Sequence, residues 1–115
     1  GAIPDTALGA LVENYVGLEL QKQLSWHPAR MNFYHFRERT GKEVDFILET
    51  PQGDIAGIEV KASATVASKD FKHLNFLQEQ LGDRFKRGVV LYLGDIPVNF
   101  GERLIALPLS CLWAS

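Results

Sequence analysis

Only one cysteine, Cys111, occurs in the 115 residues, so no intrachain disulfide can staple the fold and no thiolate cluster can hold zinc. A reducing cytoplasm is the expected compartment. No apolar run approaches the roughly 20 residues that cross a bilayer. The longest stretches, such as Val89-Val90-Leu91-Tyr92-Leu93, are far shorter, and nothing at the N-terminus resembles a signal peptide. A soluble domain with no membrane partner is expected. Positive charge is also scarce: 12 Lys and Arg against 14 Asp and Glu leave a net charge of -2. That balance excludes the strong positive field of a general nucleic-acid binder, so any such contact must be local. Repeats, low-complexity segments and Gly/Ser/Pro-rich linkers are absent. So is a GxxxxGK[ST] loop, which excludes ATP binding by that route. His27, His35 and His73 show no HxH or HExxH spacing and read as structural or solvated.

What is present is the composition of a globular protein, 46% hydrophobic, 10% aromatic and 23% charged. The length suits one domain over residues 1–115 that buries roughly two-thirds of its unfolded surface. The chain starts Gly1-Ala2-Ile3-Pro4 without an initiator methionine, and is expected to be part of a longer protein. Charge is uneven along it. Between Lys61 and Arg87 six basic residues (Lys61, Lys69, Lys72, Arg84, Lys86, Arg87) face three acidic ones (Asp70, Glu79, Asp83). The stretch reads either as an ordinary solvated face or as a weak phosphate-facing patch.

Apolar residues from Leu8 to Leu24 recur at helical spacing, with Asp5 or Thr6 as cap. Pro28 ends that helix, and Met31–Arg37 alternates as a strand does. After a turn at Thr40-Gly41-Lys42, Glu43–Glu49 reads as a second strand. Val44, Phe46 and Leu48 are expected on one face, with Asp45, Ile47 and Glu49 on the other. Thr50-Pro51-Gln52-Gly53-Asp54 is a turn, and Ile55–Lys61 follows with Glu59 and Lys61 opposite Ile58 and Val60. A second helix over about Ser68–Leu81 carries Phe71, Leu74, Leu77 and Leu81, is capped by Ser68 and stops at Gly82. The aliphatic run between Gly88 and Gly94 predicts a strand buried on both faces. Arg103–Leu107 suggests a short edge strand, and Pro108–Trp113 a terminal helical turn. The predicted class is α/β, a central mixed sheet flanked by helices in the order α-β-β-β-α-β.

Polar residues interrupt this pattern where packing alone prefers apolar ones. Asp45 breaks the run Val44-Asp-Phe-Ile-Leu48, and Glu59 and Lys61 decorate an otherwise aliphatic strand. If the second and third strands form a hairpin, two carboxylates and an amine gather near one end of the sheet. Such a set suits Mg²⁺ or Mn²⁺, which take hard oxygen ligands and keep waters and substrate phosphates in their shell. Asp45 and Glu59 are then metal ligands, and Lys61 stabilises developing negative charge. Glu13, on the polar edge of the first helix, could hold a metal water or a second ion. A solvated cross-strand ion pair is the other reading of the same residues. Cys111, among apolar neighbours, reads as a buried inert thiol. Phe33, Tyr34, Phe36 and Trp26 read as core aromatics rather than base-stacking platforms.

Gly9-x3-Glu13, Glu43-Val-Asp45-Phe and Ile58-Glu-Val-Lys-Ala-Ser63, in that order, resemble the PD-(D/E)XK nuclease superfamily, which includes restriction endonucleases and archaeal Holliday junction resolvases. Over nearly the whole chain, the segments Leu11-Val-Glu-Asn-Tyr-Val16, Lys42-Glu-Val-Asp-Phe46 and Phe85-Lys-Arg-Gly-Val-Val-Leu-Tyr92 are similar to a C-terminal domain of unknown function in predicted bacterial and archaeal AAA-type ATPases. The tail Leu107-Pro-Leu-Ser-Cys-Leu-Trp113 extends this likeness. The resemblance implies a restriction-endonuclease-like fold and an ATPase domain upstream in the same chain. It also implies a Mg²⁺-dependent cut in DNA, with Asp45 and Glu59 on the metal, Lys61 as catalytic lysine and Glu13 as helix acid. Val44 stands where the superfamily often has proline. Members of such families also persist without turnover, as interaction domains.

Overall fold

The computed structural model describes Gly17, residues 32–37 and residues 43–112. Six strands form one sheet in the order β1-β2-β3-β4-β6-β5: β1 (Asn32–Arg37), β2 (Glu43–Glu49), β3 (Ile55–Lys61), β4 (Phe85–Tyr92), β5 (Val98–Asn99) and β6 (Leu104–Pro108). The α-helix whose bounds the described residues give, α1 (Lys72–Leu81), follows a 3-10 turn over Ser68–Phe71 and lies between β3 and β4 in the chain. β1, β2 and β3 run antiparallel by short connections. β3, β4 and β6 run parallel, and β5 returns antiparallel on β6. The sheet is therefore mixed and the class α/β.

Local chemistry accounts for the hairpin between β2 and β3. The Gly53 amide donates to the Thr50 carbonyl at 2.9 Å, the Thr50 amide to the Asp54 carbonyl at 2.9 Å, and the Asp54 amide to Thr50 Oγ1 at 3.1 Å. Gly53 sits at φ 92°, a conformation that a side chain disfavours. Arg84, in the 3-10 turn just before β4, clasps this turn, its Nε donating to the Gly53 carbonyl at 2.9 Å and Nη2 lying 3.3 Å from Glu49.

Helix α1 lays Leu74 and Leu77 on the sheet, with Phe71 of the 3-10 turn beside them; Leu74 is wholly buried. The fit requires Gly57 on β3, where a Cβ would stand 2.7 Å from Leu74 Cδ2. Ile55, Phe85, Val90, Tyr92, Leu104 and Ala106 complete this core. On the other face Phe46, Ile58 and Leu91 form a second cluster, with Phe33 stacked on Phe46 at 5.3 Å. Gly17 is helical, and a Cβ on it would lie 3.2 Å from the Phe46 ring. The rest of the helix expected before Pro28, Glu13 included, lies outside the described residues, as do Trp26, His27 and the side chains of Tyr34, His35 and Phe36.

Several expectations need correction. Val44 does not share a face with Phe46: it packs with Ile47 in the cluster under α1. The cause is a β-bulge, for two steps along β1 from Tyr34 to Phe36 match three along β2 from Ile47 to Val44. One extra residue reverses the alternation beyond it. The strand over Arg103–Leu107 is observed as Leu104–Pro108 and is not an edge, because β5 pairs outside it; two residues are too few to leave a periodic signal. β4 starts at Phe85, three residues before Gly88. Ala67, not Ser68, caps the 3-10 turn. Leu109–Leu112 forms a 3-10 turn, as expected for a terminal helical turn, but Cys111 in it is exposed rather than buried. Phe71 and Leu74 are core residues as read, and Phe33 packs half-buried against the Phe46 cluster.

Candidate functional site

Glu59 and Lys61 lie two residues apart on β3 and so project to one side, the side that α1 covers. Gly57, on the same side, lets the helix come close at its Leu74–Leu77 end. Farther along β3 the sheet and the start of α1 part around an open cleft of about 290 Å³. Glu59 and Lys61 line it from the strand, with Lys69, Asp70, Lys72 and His73 from the 3-10 turn and helix, and Val60 and Val90 beside them.

The strand and helix side chains pair in order. Lys61 Nζ is 2.7 Å from Asp70 Oδ2, and His73 Nδ1 is 3.3 Å from Glu59 Oε1. Two residues along a strand span about 6.6 Å and three along a helix about 4.5 Å, so alternate strand positions meet successive turns of the segment above. Asp70 Oδ2 also accepts the Ala67 amide at 2.7 Å, tying down the start of the 3-10 turn. Burial of Asp70 works against its charge. The Lys61 hydrogen bond, the Ala67 amide and the charges of Lys61 and Lys69 outweigh that cost and hold the carboxyl below its ordinary 3.8.

Asp45 arrives by another route. The ladder between β2 and β3 runs from Glu49–Ile55 to Phe46–Ile58 and stops where the bulge begins. Past that point the Val60 amide donates to Asp45 Oδ2 at 2.7 Å. The Asp45 carboxylate thus abuts the backbone between Glu59 and Lys61, although it does not line the cleft itself. Of the four residues singled out from sequence, Glu59 and Lys61 line the cleft, Asp45 reaches the backbone between them, and Glu13 lies outside the described residues. Among the described residues, no three His, Cys, Asp or Glu side chains group as a metal cage. Two carboxylates on neighbouring strands nevertheless fit the habit of Mg²⁺, which is commonly held by one or two carboxylates with water and phosphate oxygens.

Sequence reasoning missed Asp70 and His73. Asp70 counted among the acids between Lys61 and Arg87, and His73 read as structural or solvated. The available signal was their spacing of three, which puts both on one side of a helical segment.

The fold and cleft define a mixed α/β domain with a charged site on the helix-covered side of its sheet. Residues 8–112 match the family described as Domain of unknown function (DUF4143), and the chain belongs to that family. A solved chain from the refined half-complex of the tetradecameric assembly of Thermococcus gammatolerans McrB AAA+ hexamers with bound McrC is similar in fold, with a TM-score of 0.61 at 12% identity. The match covers 89% of this chain and 28% of that one, so this chain spans well under half of that relative. No curated protein matches. No helix among the described residues is long and apolar enough to cross a membrane.

Proposed function

We propose that this chain is a nuclease-like domain, restriction-endonuclease-like in fold, that hydrolyses phosphodiester bonds in DNA with Mg²⁺ or Mn²⁺ and works with an AAA-type ATPase domain upstream in the same protein. The observation that carries the reading is the 2.7 Å bond from the Val60 amide to Asp45, which brings the Asp45 carboxylate to the Glu59-x-Lys61 segment at the mouth of an open cleft. Asp45 and Glu59 would hold the cation, with Glu13 as a further acid. A divalent ion bound there supplies Lewis acidity and a more acidic water. Lys61 supplies positive charge for the phosphoryl oxygens, exchanging Asp70 for them when substrate enters. The likeness to a chain from an assembly of AAA+ hexamers supports the ATPase partner at the level of fold.

A second reading, a non-catalytic interaction domain that keeps this fold, draws on the Lys61–Asp70 pair, because it already engages the amine that turnover needs. Two measurements on the full-length protein separate them. Calorimetric Mn²⁺ titration without nucleotide should show one site that Asp45→Asn and Glu59→Gln each abolish. Metal-dependent cleavage of branched, single-stranded and duplex DNA should fall about 10²-fold or more in Lys61→Ala. Absence of both the ion site and cleavage leaves the interaction domain.

A further inference from the structure

The cations of the described residues are not equally satisfied, and three of them, Lys61, Lys69 and Lys72, line the cleft. Lys61 pairs with Asp70, Arg84 with Glu49, Lys86 with Asp54 and Arg103 with Asp83. Among the described residues, no carboxylate lies within ion-pair distance of Lys69 or Lys72, and both are exposed on the cleft rim. The acids that share the cleft are engaged: Asp70 by Lys61 and the Ala67 amide, Glu59 by His73. The charge left facing outward is that of the two rim lysines, in a chain whose net charge is -2. Unpaired positive charge thus stands at the opening of the cleft, where an anion can approach it.

We infer that Lys69 and Lys72 form a phosphate-binding rim that seats the backbone of a nucleic-acid strand across the cleft, above Glu59 and Lys61. This rests on the nuclease-like reading of the same site and adds the residues that grip the substrate. Among the described residues, no arginine lines the cleft. The planar fork that favours bidentate carboxylates of a protein partner is therefore lacking, whereas lysine acts on phosphate as a point charge. The two lysines, three residues apart on the 3-10 turn and the first position of α1, reach neighbouring points along a strand without contacting base edges. The grip is therefore independent of sequence.

The test is binding of a fluorescein-labelled single-stranded oligonucleotide by the full-length protein in EDTA without nucleotide, followed by anisotropy. The double variant Lys69→Ala/Lys72→Ala should weaken binding about tenfold at 0.1 M salt and flatten the slope of log K against log salt by about 1.4, the loss expected for two phosphate contacts. Lys69→Arg/Lys72→Arg should restore both. Arg87→Ala, which removes an exposed cation outside the cleft, should change neither. Unchanged binding in the double variant, absence of binding by the wild type, or competition by poly-glutamate as strong as by unlabelled oligonucleotide overturns the inference. Because EDTA removes the metal, a rim that binds in a protein that never cleaves retains this inference while the nucleolytic reading fails. Cleavage that survives with unaltered binding in the double variant does the reverse.

Discussion

The two ends of the contact between α1 and β3 differ in kind. Toward the helix C-terminus, Leu74 and Leu77 close on Gly57 and Ile55, and Leu74 has no exposed surface. One turn earlier, Asp70 and His73 meet Lys61 and Glu59, each acid retaining 16% exposure of its side chain. The dry end supplies adhesion, because a buried leucine contributes several kcal/mol of combined transfer and packing energy. The polar end contributes far less, since partly solvated ion pairs net about 0–1 kcal/mol. One end of the contact is thus dry and adhesive, and the other an open, charged cleft.

That contrast can be broken by substitution at either end. Leu74→Ala should lose about 2–5 kcal/mol in denaturant unfolding; a loss under about 1 kcal/mol would show that the helix is not seated on this core. Asp70→Asn should cost about 1–2 kcal/mol near neutral pH, from the Lys61 and Ala67 bonds. Because the folded carboxyl lies below its ordinary 3.8, its stabilisation is complete above that value and is lost as pH falls through the lower folded value. Wild type and Asp70→Asn should therefore differ by a constant amount above about pH 5 and converge under acid. A gap that widens on acidification contradicts the ion pair. At the far edge, Arg84→Ala should cost less than about 1 kcal/mol, because the Arg84–Glu49 pair is largely exposed. A penalty there as large as that of Leu74→Ala would end the distinction between adhesive and polar contacts.

Much of the fold was legible. β2 and β3 occur over the residues that alternation predicted, and Gly82 follows the helix as its stop. The turn between the strands was legible from Pro51 and Gly53. The bulge in β2 was not, because one inserted residue changes no composition and carries no propensity signal; only the pairing partners of Tyr34 and Phe36 reveal it. β5 escaped because a two-residue strand is defined by its neighbour. At the site, Glu59 and Lys61 share a face by strand geometry, as read. The pairing of Lys61 with Asp70 depends on how the segment between them folds back over the strand.

Local chain chemistry was sufficient for element type and for placing Glu59 and Lys61 on one side of β3, because backbone geometry and side-chain alternation act between neighbours a few positions apart. Where Val44 faces, what caps the Val60 amide, which acid holds Lys61 and which lysines stay unpaired were settled only when β2, β3 and α1 packed together. Those outcomes turn on register and on the close approach at Gly57, distances set across the sheet that no window of sequence contains.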